Sequence, residues 1–163
     1  MKALKANDVE VRSRCGYPEP FFSRVMPREK RALGEAFGLT RFGVNLTTLP
    51  PGKESSMRHW HDREDEFVYV LEGEVDAWID GELFRMKAGD LAAFPSGTGV
   101  CHTFLNDGDQ EAVILVGGEA DKEENRIVYP VNPSRKTDLP ARRWWHDAPS
   151  RPLGPHDGKP RRR

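Results

Sequence analysis

The chain divides by its hydrophobic pattern into a central stretch of short alternating runs and two flanks that lack this rhythm. Between residues 41 and 118 the runs "RFGVNLTTL", "EFVYVLEG", "EVDAWI", "ELFRM", "LAAF", "VCHTFLN" and "EAVILVGG" are separated by turn signals: Pro50-Pro51-Gly52, Asp80-Gly81, "KAGD", "PSGTG" and "DGDQ". Alternation of period two, with Gly, Pro and Asp as punctuation, predicts many short antiparallel strands and hence an all-β barrel or sandwich. Asp80-Gly81 between "EVDAWI" and "ELFRM" predicts a tight two-residue hairpin, because both central positions of that turn favour positive φ.

The flanks read differently. Residues 1–40 are mixed and polar, and "PREKRALGEAF" predicts a short helix with Pro27 in its first turn and Gly38 closing it. Residues 119–163 are rich in proline and arginine and predict an extended tail. Trp144 and Trp145 offer it a way to pack over the barrel or a partner, whereas Arg161-Arg162-Arg163 reads as a solvated end. The expected organisation is an N-terminal extension over 1–40, a barrel over 41–118 and a C-terminal extension over 119–163. No internal repeat or low-complexity block is visible.

Composition narrows the classes. The 163 residues carry 25 Lys and Arg against 26 Asp and Glu, a net charge of −1. Nothing in that balance draws the molecule to nucleic acid or to a membrane surface. Cys15 and Cys101 form no C-x-x-C pair. With no apolar leader in "MKALKANDVEVRS" and no run near the roughly 20 apolar residues of a membrane span, a cytoplasmic protein with reduced thiols is expected.

Candidate chemistry sits in "HWHDREDE", residues 59–66, which holds two of the five histidines. On a strand, residues i and i+2 share a face, so His59 and His61 point the same way and could grip one metal ion. Glu66 lies an odd number of positions after His61, and the polar run Asp62-Arg63-Glu64-Asp65 supplies a break that resets the alternation. Beyond it Glu66, Val68 and Val70 share one face and Phe67, Tyr69 and Leu71 the other. A carboxylate buried beside two imidazoles is costly alone, and a cation offsets the cost. His102 in "VCHTFLN" is a third candidate if its strand lies beside the first. Three histidines and one glutamate suit a divalent transition metal such as Zn, Fe, Mn or Ni, and leave positions open for substrate or water on a six-coordinate ion. Against this, an H-x-H pair can also be no more than the polar face of a strand.

These residues resemble the two motifs of the cupin superfamily. Gly52, His59-Trp60-His61, Glu66 and Gly73 resemble the first, with six residues between Gly52 and His59 where the family usually has five. Gly89, Pro95, Gly97, His102 and Asn106 resemble the second, with the four residues "TGVC" before His102 where the family usually has two. More narrowly, the stretches around both motifs resemble single-domain bacterial cupins of the RmlC-like type, a group without one settled activity. The resemblance implies a jelly-roll barrel with a short N-terminal helical segment. It also implies a metal inside the barrel on His59, His61, Glu66 and His102. Cupins include dioxygenases, isomerases, decarboxylases and sugar-binding proteins, so the fold alone selects no reaction.

Two functions from different classes follow. One is a small-molecule metalloenzyme, with Glu66 as ligand or, without metal, as catalytic base. The other is a non-catalytic module that binds or senses a sugar-like molecule, since no serine–histidine–acid pattern, phosphate loop or reactive-thiol motif accompanies the histidines. Met57, Val68, Val70, Val100 and Phe104 are expected to line the barrel, with Trp78 and Phe94 as plain core. Asn106 before Asp107-Gly108 suits a turn. The apolar series Trp60, Phe67, Tyr69 and Leu71 faces outward and predicts a homodimer through that sheet face, unless Phe21, Phe22 and Phe37 of the N-terminal extension cover it.

Overall fold

A computed structural model of the chain describes residues 3–120, 126–130, 143–145 and 151–161. After a 3-10 turn at Ala6–Asp8, the elements are β1 (Val11–Arg12), α1 (Phe21–Val25), β2 (Glu29–Ala32), α2 (Leu33–Ala36), β3 (Phe42–Leu49), β4 (Trp60–His61), β5 (Glu66–Glu72) and β6 (Glu74–Ile79). They continue with β7 (Glu82–Lys87), β8 (Leu91–Phe94), β9 (His102–Leu105), β10 (Ala112–Glu119), β11 (Ile127–Tyr129) and β12 (Arg143–Trp145). Among the described residues three sheets form, in the strand orders β1-β2-β3-β10-β5-β8, β12-β11-β4 and β7-β6-β9. All pairings are antiparallel except β11 with β12. The all-β expectation holds.

Alternation decides which residues face inward. On β5, Val68 and Val70 are buried while Phe67 and Leu71 are exposed. Val75, Ala77, Phe104 and Ile114 meet these valines in the barrel core. Phe94, expected as core, joins them, and Val100 packs at the edge. Burial of this set removes several side chains from water, at about 1.5–3 kcal/mol for each large aliphatic or aromatic one. Asp80 and Gly81 both take positive φ, 48° and 94°, which closes the β6–β7 hairpin as the dipeptide predicts. Asn106 holds the β9–β10 turn: its Nδ2 donates to the carbonyls of Leu49 and Gln110, and its Oδ1 accepts from the Gly108 amide.

The structure corrects three sequence expectations. "PREKRALGEAF" is not one helix, since Glu29–Ala32 form a strand paired with β3 and only Leu33–Ala36 are helical. The physical reason is tertiary: β3 has an open edge, and pairing there buries Ala32 and turns Lys30 inward opposite Thr47. Trp60 lies apart from the Phe67 and Leu71 face; with Leu153 it packs beside Trp78, Cys101 and Leu105. Phe21 packs with Met57 and Tyr129 rather than over β5, and Phe22 and Phe37 remain exposed.

Residues 151–161 are not a solvated tail. They run along the outer side of the β7-β6-β9 sheet. Trp78 Nε1 donates to the His156 carbonyl at 2.7 Å, His156 N–H donates to the Gly81 carbonyl, and Leu153 packs on the Trp78 cluster. His156 is half-buried there. Gly81 and Gly154 approach so closely that a β-carbon on either would collide with the other's backbone. The Trp144 and Trp145 side chains, His146, Arg162 and Arg163 fall outside the described residues. No described helix is long and apolar enough to cross a membrane, and Cys15 and Cys101 are free thiols.

Candidate metal centre

The backbone itself brings two of the histidines together. His59 and His102 form an isolated antiparallel bridge in which each amide donates to the other's carbonyl, at 3.1 and 2.9 Å. His61 follows on β4 with its side chain on the same face, and the His59 and His61 ring centroids are 5.0 Å apart. After a bend at Asp62 and Arg63, β5 starts at Glu66, whose side chain enters the barrel opposite Phe94 of β8. All four sequence-predicted residues therefore converge. The Nε2 atoms of His59, His61 and His102 lie 3.9, 3.7 and 2.8 Å from Glu66 Oε2. The longer loop before His102 does not keep it from the site.

Surrounding groups orient the rings. His59 Nδ1 is 2.8 Å from the Met57 carbonyl, an acceptor, so Nδ1 carries the proton and Nε2 presents a lone pair. Burial, reinforced by His102 and His61, depresses the His59 pKa to about 3, which keeps this imidazole neutral. Its Nε2 lone pair thus faces a carboxylate oxygen, an acceptor facing an acceptor. The Glu66 carboxyl is pushed up by burial, but the His102 hydrogen bond and the three imidazoles outweigh this and hold it at about 2, ionised. Glu64 Oε2 lies 3.3 Å from His61 Nδ1 and helps to orient that imidazole. Phe94 stacks on His102 with centroids 3.6 Å apart and planes within 11°.

This donor set fits a metal ion. Donor atoms of His59, His61 and Glu66 lie within 4.8 Å of one another, and a cation between them resolves the facing lone pairs. The site sits in a cavity of about 660 Å³, a size suited to a small molecule. Its other walls include Tyr17, Arg28, Lys30, Asn45, Thr47 and Tyr129. Sequence reasoning named none of these six. Lys30 was hidden by the helical reading of its segment, and Tyr17 and Tyr129 come from flanks that carry no strand rhythm. The stacking role of Phe94 was missed as well, because only the register opposite Glu66 reveals it.

Barrel, paired motifs and clustered imidazoles define one class, and the chain belongs to the cupin superfamily. Residues 45–118 match the family described as "Cupin domain". The chain is 37% identical to a crystal structure of a sugar phosphate isomerase of the cupin superfamily from Silicibacter pomeroyi, with 80% of this chain and 83% of that one covered and a TM-score of 0.76. It is 37% identical over 75 residues to polyketide synthase CurC of Streptomyces cyaneus, which is 46% of this chain. The chain spans about half the length of that relative, 47%. The polyketide cyclase RemF of Streptomyces resistomycificus shares the fold at 24% identity and a TM-score of 0.63, over 86% of this chain and 94% of that one.

Proposed function

We propose that the protein is a small-molecule metalloenzyme whose His59, His61, Glu66 and His102 hold one divalent transition metal. The observation that carries this reading is the convergence of three imidazole Nε2 atoms on Glu66 Oε2 inside a cavity large enough for a small substrate. A bound metal of this kind supplies Lewis-acid polarisation of a substrate oxygen. The chain's own groups do the rest. His59 and His102 are fixed by their mutual backbone bridge, and Phe94 holds the His102 ring plane. Glu66, ionised and already engaged by His102, suits ligation better than proton abstraction. The likeness to a sugar phosphate isomerase supports a hydroxyl-bearing substrate for this site.

Elemental analysis of protein purified without chelator tests the reading. It should return about one equivalent of a divalent transition metal, and the double variant His59→Ala, His61→Ala should lose it while remaining folded. Retention of metal by that variant overturns the assignment. A stabilising ligand that returns chemically unchanged assigns the cavity to binding alone; product formation assigns it to catalysis.

The reading extends to a homodimer formed through the outer face of the six-stranded sheet. Phe67 and Leu91 are 38% and 59% exposed there, beside the half-buried Leu46, Tyr69 and Leu115. Light scattering should give twice the chain mass, reduced to one chain by Phe67→Asp with Leu91→Asp.

A further inference from the structure

The cavity holds two cations that the metal-centred reading leaves unexplained. Arg28 and Lys30 both line it, and both are half-buried. Lys30 is on the inward face of β2, opposite Thr47 of β3, so the strand register itself aims it at the interior.

The acids of the same cavity are already engaged. Glu35 pairs with Arg12 at 2.7 Å, Glu64 with His61, and Glu66 with His102. Asp65 accepts from the Ser96 amide, and Glu119 accepts from the Asp65 amide. Among the described residues, no carboxylate lies within 4.0 Å of Arg28 or Lys30, and neither side chain makes a hydrogen bond. Burial and the neighbouring Arg28 both depress the Lys30 pKa, with Glu35 and Glu66 opposing from longer range. Two uncompensated cations in a partly desolvated wall are unfavourable alone and attract an anion strongly.

Resting on the reading of this cavity as a substrate site, we propose that Arg28 and Lys30 form an anion subsite that takes the dianionic phosphate of a phosphorylated small molecule. Two positive charges balance the two negative charges of a phosphate monoester, and a guanidinium and an ammonium offer donors that fit its oxygens. A carboxylate supplies only one charge and leaves one cation uncompensated. Asn45, Thr47 and Tyr129 line the same cavity and add polar groups to its wall.

The probe is inorganic phosphate, measured by calorimetry on full-length protein after chelator treatment and again after metal loading. Wild-type protein should bind it in both forms. Arg28→Gln and Lys30→Gln should each weaken binding by about tenfold or more, the loss expected for one buried charge-assisted contact. Lys87→Gln, an exposed lysine on β7, should leave it within about twofold. Phosphate should also raise the melting temperature of wild-type protein more than acetate at matched ionic strength, which decides the matter even if a variant fails to fold. Absence of phosphate binding, equal binding by all variants, or an equal acetate effect would overturn the subsite. Metal content of the same samples reads the metal assignment separately: phosphate bound without metal sinks only the latter, and metal bound without phosphate sinks only the subsite.

Discussion

His102 Nε2 lies 2.8 Å from Glu66 Oε2, joining residues 36 positions apart on strands of two different sheets. The hydrogen bond does more than close the barrel: it fixes the carboxylate among the imidazoles and holds it ionised. Replacement of His102 by Ala should therefore lower metal affinity by more than about 100-fold, the upper end of what loss of a supporting partner costs, with the barrel intact. Titration with Zn or Mn followed by calorimetry checks this. Unchanged affinity would place His102 outside the metal's reach.

Phe94 provides a separate handle on the same geometry. Its ring covers one face of His102 and also lies edge-on to Phe104, at 6.1 Å between centroids. Phe94→Leu keeps apolar volume but loses the flat support. The expected result is a small stability loss, about 1 kcal/mol, with metal affinity reduced about tenfold. Equal metal affinity in the two proteins would show that the backbone bridge between His59 and His102 orients the ring unaided.

Much of this site was legible in the sequence because strand alternation is local. The His59 and His61 pair, the reset before Glu66 and the inward Val68 and Val70 all follow from period two. Convergence of His102 was not local; it needed the register between β9 and the segment before β4, which the family resemblance supplied. The cationic wall was not legible at all. "REKRA" has helical composition, and only the open edge of β3 makes it a strand with Lys30 inward. Docking of residues 151–161 was equally hidden, since its main anchors are backbone carbonyls and glycine contacts rather than an apolar pattern.

Glu54 should give the protein a measurable pH signature. Its side chain is fully buried, with Oε2 at 2.5 Å from Arg24 Nη2 and Oε1 lacking a hydrogen-bond partner. Burial raises its pKa from 4.5 to about 7 despite the pull of Arg24. The folded state thus binds a proton more tightly than the unfolded chain. Its contribution is fully present below about pH 4.5 and is lost as pH rises to about 7, by up to about 3 kcal/mol. His59, with its depressed pKa, acts with the opposite sign over about pH 3 to 6.5. The Glu54 effect is therefore read as the difference between wild type and Glu54→Gln. Urea denaturation across pH 4.5 to 7.5 should show the variant gaining stability relative to wild type as pH rises. A constant difference would mean that Glu54 is ionised throughout.

The C-terminal segment should behave as a structural strap. Trp78 is fully buried, and its indole N–H donates to the His156 carbonyl. Arg24, the partner of Glu54, also donates to the Gly158 carbonyl at 2.6 Å, and Arg161 N–H donates to Asp107. Removal of residues 151–163 should expose the Trp78 ring and leave these donors and acceptors to water. Summed hydrogen bonds and the burial of Leu153 suggest a loss of about 2–4 kcal/mol. Tryptophan emission should shift to the red in the folded truncated protein, and its urea midpoint should fall. Trp78→Phe, which removes only the donor and part of the ring, should cost about 1–2 kcal/mol without loosening the rest of the segment. If truncation leaves both emission and midpoint unchanged, residues 151–161 do not cover Trp78 in solution.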